Sequence, residues 1–444
     1  MKSSLLSVHP LPQDDHTNGW SAILPTRTAR PPLTGEVHVD WLVIGAGYAG
    51  LAAARHLAEQ QPQASIALID AGVVGDNASG RNSGFAIDLP HAAGFSPEMV
   101  AQGKQAIRVN RWALDRLNTL VHANTIACDW QQQGRYHAAV SPAIAERDLR
   151  AYGRYLEAWN EPFEWLERAQ LRERLGTAYY HAAIYTPGTY LLNPAALARS
   201  LFDSLPEQVR RFENSPVMEA QLHSDMPSVR TAHGRIHAKG AIVATNAFSH
   251  TFGVFQHQQV PMLLFASLTA PLTQAQRAQL GSDSAWGLTP AHGVVGSTLR
   301  LTLDGRLLIR QGFEYSPTLR TTEVRRAQAQ AMNLHLLRQR FPQFPHLELE
   351  HFWMGWLAVS HNHAPAFGLV GPRTWAVSCC NGSGIVRHTA AGILIAEQAL
   401  GHDNPLIADF LAQGQASRIP PRPLRDIGVA LSLMRERWAG RSEQ

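Results

Sequence analysis

The sequence predicts an α/β chain of two lobes, one on a parallel sheet and one on antiparallel strands, with the chain passing between them more than once. Three observations predict it. The apolar run Trp41 to Ile44 ends in Gly45-Ala46-Gly47-Tyr48-Ala49-Gly50, continues into helix formers as far as Leu57, and is followed by a second apolar run, Ile66 to Ile69, closed by Asp70 twenty residues past Gly50. Stretches of strand character recur at 261–270, 285–288, 297–302 and 306–313, and Asp304-Gly305 between the last two is a hairpin signal. Far downstream, Thr374 to Ser378 reads as a strand that leads through Asn381-Gly382-Ser383-Gly384 into a helix over 385–400. That unit rejoins the first one, so the lobes are interleaved.

The first observation is a dinucleotide-binding βαβ fingerprint in its required context, which makes the parallel lobe Rossmann-like. Gly45 permits the tight turn, Gly47 lets backbone approach a pyrophosphate, and Gly50 lets helix and strand pack closely. The helix N-terminus offers N–H groups and a positive dipole end to phosphate. Asp70 would accept hydrogen bonds from ribose hydroxyls. Taken alone, the fingerprint admits NAD or FAD. Antiparallel strands and helices inserted between parts of the Rossmann lobe suit a flavoprotein better than a simple NAD dehydrogenase.

Taken in order, residues 1–36 are rich in Pro, Thr and His and read as an extended arm with Trp20 as its large anchor. Residues 37–90, 190–250 and 364–412 form the dinucleotide lobe, 91–189 and 251–363 the second lobe, and 413–444 a tail. Helical spacing is seen from Pro97 to Leu120, at 143–160 and at 163–175. Asn193-Pro194 is a helix start, with Asn193 as N-cap, for a helix to about Leu205. Strand patterns run over 209–220 and 228–243, with turns at His233-Gly234 and Lys239-Gly240, and a long helix covers about 321–340. The tail is helical from about Leu424 to Trp438, with Ile427, Leu431, Met434 and Trp438 on one side. Such a helix can lie on a membrane, but packing on the chain's own body or on a second subunit is the favoured expectation.

The chain has 45% hydrophobic and 17% charged residues and a formal charge of +4, with no long Lys/Arg block. This excludes electrostatic support for nucleic-acid binding. Cys128, Cys379 and Cys380 form neither a disulfide framework nor a metal-ligand spacing, which fits a reducing cytoplasm and no metal. No signal peptide or membrane span is read, so a soluble protein is expected. Basic charge is nearly all arginine; the lysines are Lys2, Lys104 and Lys239.

Several stretches resemble the D-amino-acid-oxidase-like FAD-dependent oxidoreductases, and more narrowly the γ-glutamylputrescine oxidoreductase group. They are LTGEVHVDWLVIGAGYAGLAAARHLAE, NASGRNSGF, IVATNAFS, MGWLAVSHNHAPAFG and CNGSGIVRHTAAG. The group's usual SGRNGG loop here carries Ser83 in place of a glycine, and Asp70 stands where Glu is commoner. The resemblance implies a non-covalent FAD. Gly45, Gly47 and Gly50 would hold its pyrophosphate and Asp70 its ribose. Ser79, Arg81, Asn82, Ser83 and Gly84 would line the flavin and ribityl chain. Val217 would present backbone to adenine, Thr245 and Asn246 would end a strand near the phosphates, and Gly382, Ser383, Gly384 and Ile385 would sit under the flavin ring. Helix 385–400 would aim its N-terminus at the flavin N1/C2=O locus.

The chemistry so implied is oxidation of an amine C–N bond by hydride transfer to flavin N5, then imine hydrolysis. The amine would be a glutamylated polyamine or an amino-acid-derived amine, and the acceptor oxygen or a quinone. No acid–base triad is required. Trp353, Trp356, His361 and His363 flank the return into the FAD lobe, and Trp356 and His361 are candidates for the substrate face. The group's acid before the proline is His363-Ala364 here, which alters charge near the flavin. Arg310, at the end of a sheet strand with Tyr315 beyond it, and Arg387, after the glycine turn, are candidates for a substrate carboxylate. None of the three lysines lies in a flavin-contact motif, which leans towards a dehydrogenase. Two other classes stand as alternatives: a flavin monooxygenase, for which a second nucleotide motif is missing, and a flavin-binding regulatory or assembly protein without turnover.

Overall fold

The computed structural model describes residues 5–12, 15–90 and 95–443. The spine of its nine-stranded sheet is parallel. Gly35–Ile44 lies between Ile66–Ile69 and Gly234–Val243, Val209–Phe212 pairs with Ile66–Ile69, and Thr374–Ser378 pairs with the last residues of Gly234–Val243. Leu42, Val43, Ile44 and Ile66–Ile69 are all buried, as strands covered on both faces must be. The helices Tyr48–Gln60 and Gly384–Leu400 cover one face. They touch closely: a methyl group at Gly392 would run into the Ala49 carbonyl. The other face packs against Val8, Leu33, Val217 and Phe252.

The second sheet has eight strands, in the order Leu349–Val359, Val260–Thr269, Leu307–Tyr315, Thr298–Leu301, Trp286–Pro290, Arg135–Ala139, Ala182–Thr186 and Glu164–Glu167. Only the pairing of Trp286–Pro290 with Arg135–Ala139 is parallel. Side chains alternate between its faces. Leu299, Leu301 and Ile309 pack against Leu336 and Leu337 of the helix Glu323–Arg340. Thr298, Arg300, Leu308, Arg310, Ala266 and Trp353 lie on the opposite face, where Trp20 of the arm and Ala195 of the other lobe pack. The interleaved α/β architecture read from the sequence is therefore the one observed.

Local expectations fared unevenly. Asn193 caps the helix Pro194–Asp203 by accepting from the Ala195 and Ala196 N–H groups, and Gly305 turns the 298–315 hairpin at φ 82°. The predicted helix over 163–175 is corrected: Glu164–Glu167 is an edge strand on Ala182–Thr186, and only Arg168–Leu175 is helical. Leu166 is buried in one core and its neighbour Trp165 packs against another, so successive side chains point to opposite faces of the strand, an alternation that a helical template had absorbed. Lys239-Gly240 is not a turn but the middle of a strand, where Gly240 lies directly across from Trp41. The 209–220 stretch breaks into Val209–Phe212 and Glu219–Gln221. The arm is not wholly extended, since Gly19–Ala22 forms a helical turn; residues 1–4, 13 and 14 lie outside the described residues. The tail helix, Leu424–Ala439, forms as expected, but its apolar side faces away from the body.

Candidate active site

Cα pairing places Ile44, Ile69, Val243 and Ala376 in line at the carboxyl ends of the parallel strands. Gly45–Gly50, Asp70, Thr245–Asn246 and Cys379–Gly384 all emerge at that edge, where open α/β sheets bind ligands. Gly45 has φ 99°, and a methyl group at Gly50 would collide with the Gly45 carbonyl oxygen. Ser96, Asn193, Thr322 and Asn404 cap other helices with their side chains, but Gly47 and Ser383 do not cap theirs. Apart from the Tyr48 N–H, which donates to Ser79 Oγ, the first N–H groups of these two helices are thus left open to an anion. Asp70 accepts from the Ala46 N–H (2.7 Å) and the Gly72 N–H (3.0 Å), so it braces the glycine loop; burial pushes its carboxyl up. Val217 is buried near this strand end, and its backbone N–H and C=O have no partner among the described residues.

The loop 77–84 crosses from this edge to the second sheet. Asn77 caps its short 3-10 turn, and Ser79 Oγ accepts from the Tyr48 N–H, tying it to the fingerprint helix. Asn82 Nδ2 donates to the Ser79 carbonyl, and its Oδ1 accepts from the Gly84 N–H. Gly84 has φ 76°, and a methyl group there would meet the Leu192 carbonyl and the Arg300 guanidinium. The Ser83 carbonyl accepts from Arg300 Nη1. Arg81 donates to the Asp76 and Met354 carbonyls and pairs with Asp15 of the arm (2.7 Å), so its guanidinium acts as a bracket.

Sequence reasoning missed the residues that hold this loop from outside. Asn18 Nδ2 donates to the Gly75 and Gly80 carbonyls, and Trp20 Nε1 to the Asn82 carbonyl. Trp353 Nε1 donates to the Arg81 carbonyl at 2.9 Å. Arg300, buried under the Trp20 ring, donates through Nη1 to the Ser83, Gly84 and Leu192 carbonyls, and burial pushes it down to about 10. Trp20 carried a sequence signal as the lone large side chain of the arm, and Trp353 as an aromatic flanking the return into the dinucleotide lobe, but neither was assigned to this loop. Asn18 reaches 57 and 62 residues along the chain and Arg300 reaches 108 to 217, and neither leaves a local pattern.

At the C-terminal turn Gly382 has φ 84° and is exposed, Ile385 is buried, and Ser383 and Gly384 are partly exposed at the helix start. Asn381, another missed residue, ties the turn to the preceding loop by donating to the His363 and Ala364 carbonyls and accepting from the Ser360 N–H. Asn246 Oδ1 accepts from the Cys380 N–H at 3.5 Å, and Thr245 Oγ1 contacts Ser249 Oγ at 3.2 Å. Cys379 and Cys380 are free and buried, and burial pushes the Cys379 thiol up to about 12. Arg387 donates to the His363 carbonyl and lies over the Phe410 ring, and burial pushes it down. His361 is exposed.

Arg310 lies on the sheet face that loop 81–84 covers, in one row with Thr298, Ala266 and Trp353. Its Nη2 donates to Thr298 Oγ1 (2.7 Å); among the described residues no carboxylate pairs with it, and burial alone pushes it down to about 10. Trp356 is not on this face. It stands three residues from Trp353 on one strand, hence on the other side of the sheet, where its Nε1 donates to Ser316 Oγ. Among the described residues no three His, Cys, Asp or Glu side chains could hold a metal.

The fold and the loops gathered at this edge are those of a dinucleotide-binding protein. The chain belongs to the DAO family of FAD dependent oxidoreductases, whose model matches residues 40–398. It is 25% identical over 417 residues to the γ-glutamylputrescine oxidoreductase of Escherichia coli, covering 87% of this chain and 90% of that one. It is likewise 25% identical over 399 residues to the probable oxidoreductase OrdL of Haemophilus influenzae, covering 85% and 86%. Among solved structures, glycine oxidase from Geobacillus kaustophilus superposes with a TM-score of 0.71 at 19% identity, over 87% of this chain and all of that one. The open helix ends, the methyl-free approaches at Gly50 and Gly84 and the unpaired Val217 backbone fit an FAD laid along this edge.

Proposed function

We propose that this FAD-dependent enzyme oxidises the C–N bond of an amine that also carries a carboxylate, such as an amino-acid-derived or glutamylated amine. The observation that carries the reading is Arg310, a half-buried guanidinium with one hydroxyl acceptor and, among the described residues, no carboxylate, on the face under loop 81–84. A guanidinium that gives up part of its water without a carboxylate in return is costly, and a bidentate substrate carboxylate would satisfy it. Bound FAD supplies the two-electron acceptor for the hydrogen on the carbon beside nitrogen. The protein's part is to place that carbon and to keep the amine neutral. Arg310 and Arg300 on one face disfavour an ammonium by like charge, which lowers the amine's proton affinity where it must react.

The resemblance and the open helix ends support placing the pyrophosphate at Gly45, Gly47 and Gly50, the ribose near Asp70 and the adenine at Val217. The flavin then lies between loop 79–84 and Gly382 to Ile385, beside Thr245 and Asn246, without a covalent link. The two sheets support an FAD lobe of 37–90, 190–250 and 364–412 and a substrate lobe of 91–189 and 251–363. Arg387 and His361 stand as secondary candidates at the rim. Lys239 pairs with Asp40 and Lys104 is exposed on the helix Pro97–Ala123, so no described lysine reaches the Arg310 face. That supports an acceptor such as a quinone over lysine-assisted oxygen reduction. Three free cysteines support a reducing compartment such as the cytoplasm, and no helix of the described residues is long and apolar enough to cross a membrane.

The test is anaerobic mixing of the FAD-loaded enzyme with polyamines, glutamylated amines and N-methyl or D-amino acids. Bleaching of the flavin bands by amines bearing a carboxylate is the expected result. A bound flavin that no amine reduces, or that NADPH reduces rapidly without amine, would overturn the proposal.

A further inference from the structure

The helix Leu424–Ala439 contains no buried residue. One side of it is pinned to the body. Tyr315 donates its hydroxyl to Asp426 (2.6 Å), Arg425 donates to the Tyr315 oxygen and the Gln256 carbonyl, His292 stands 3.4 Å from Glu436, and Arg147 donates to the Ala439 carbonyl. The other side carries Leu424, Ile427, Leu431, Met434 and Trp438, each between 56% and 70% exposed. At about 100° per residue these five fall within a sector of roughly 80°. Arg435 lies on one flank of that sector and Arg437 on the other, both exposed and, among the described residues, without a carboxylate partner. Arg441 lies over the Trp438 ring at 4.5 Å, and Arg418 and Arg422 precede the helix.

We propose that this stripe is a docking surface for an anionic lipid bilayer, lying flat in the interface with its arginines among the headgroups. The order of residues is what an interfacial helix requires: an apolar face, a tryptophan at its end and basic side chains on both rims. The charge arrangement argues for lipid and against a second copy of the chain. Both acids of the helix, Asp426 and Glu436, are turned inward onto Tyr315 and His292. Self-pairing of the stripe would therefore bring arginines together with no carboxylate between them. Area argues the same way: a helix of this length is about 24 Å by 10 Å, roughly 240 Å², against about 800 Å² per partner in a stable interface.

The experiment sediments the full-length, FAD-loaded protein with vesicles of phosphatidylcholine alone and of phosphatidylcholine mixed with phosphatidylglycerol. The protein is expected to pellet with the anionic vesicles and not with the neutral ones, and added salt should release it. Leu431→Glu with Met434→Glu should abolish pelleting. Arg435→Gln with Arg437→Gln should weaken it by about tenfold or more, since each arginine near such a surface contributes about fivefold. Neither pair packs against the body, so FAD content and anaerobic reduction by amine should match wild type. Wild type remaining in the supernatant with both vesicle types would overturn the proposal. So would pelleting that both double variants leave unchanged, or a dimer on size exclusion that the Leu431→Glu and Met434→Glu pair converts to monomer.

Discussion

Replacing Arg300 with methionine keeps an unbranched apolar stem and removes the guanidinium with its charge and donors. Arg300 Nη1 serves three carbonyls; that of Gly84 keeps the Leu192 N–H at 3.0 Å, while those of Ser83 and Leu192 are left without this donor. Two orphaned acceptors cost about 1–3 kcal/mol each, and loss of the guanidinium over Trp20 adds roughly 1–2 kcal/mol. Relief of a buried cation with no carboxylate partner returns several kcal/mol. The net loss is about 1–3 kcal/mol. Because Ser83 belongs to the loop proposed to hold the flavin and Leu192 anchors that loop through the Gly84 carbonyl, the loss should appear as FAD affinity, weakened roughly 10- to 100-fold at 1.4 kcal/mol per tenfold. Titration of apoprotein with FAD, followed by quenching of flavin fluorescence, measures it directly. An Arg300→Met protein that binds FAD as tightly as wild type would refute the claim that the second sheet holds the flavin loop through this side chain.

Burial, with Arg387 nearby, pushes His388 down to about 3. Its folded value is depressed, so its contribution is complete above the unfolded value near 6.5 and is lost as pH falls, at about 1.4 kcal/mol per unit below 6.5. His388→Leu should therefore flatten the acid side of the stability curve, and urea midpoints at pH 5.5 and 7.5 would check it. Trp353→Phe removes the donor to the Arg81 carbonyl and should weaken FAD binding by about fivefold, whereas Trp356→Phe on the other face should leave flavin affinity and reduction rate unchanged in the same titration and stopped-flow assays. Gly50→Ala would drive a methyl group into the Gly45 carbonyl and should yield protein that purifies without flavin, read from the visible absorbance.

The parallel lobe was legible because its instructions are local. The glycines at 45, 47 and 50, the apolar runs beside them and the turn at 381–384 sit in short contiguous stretches. Strand limits were harder. Trp165 and Leu166 match a helical template as well as an edge strand, and Lys239-Gly240 looks like a turn unless the pairing with Trp41 is known. In the site, Arg310 was singled out as an arginine ending a strand, but it lies inside the strand Leu307–Tyr315, where the pairing with Ala266 and Thr298 sets the face it stands on. The strand register that separates Trp353 from Trp356 could not be read, since both are apolar aromatics on one strand and only the pairing with Ala266 and Leu263 decides which faces the cofactor edge. Asn18, Arg300 and Asn381 escaped for the same reason: their partners lie elsewhere in the chain.

The central claim, that Arg310 selects amines by their carboxylate, is tested most directly by one comparison. Anaerobic flavin reduction is measured for a carboxylate-bearing amine and its decarboxylated analogue, in wild type and in Arg310→Met. Breaking one side of a buried ion pair costs about 3–5 kcal/mol, so wild type should favour the carboxylate substrate by at least about a hundredfold. Arg310→Met should lose that preference while reducing with the decarboxylated analogue as wild type does. Equal reduction by both amines in wild type, or an Arg310→Met enzyme that keeps the preference, would contradict the account.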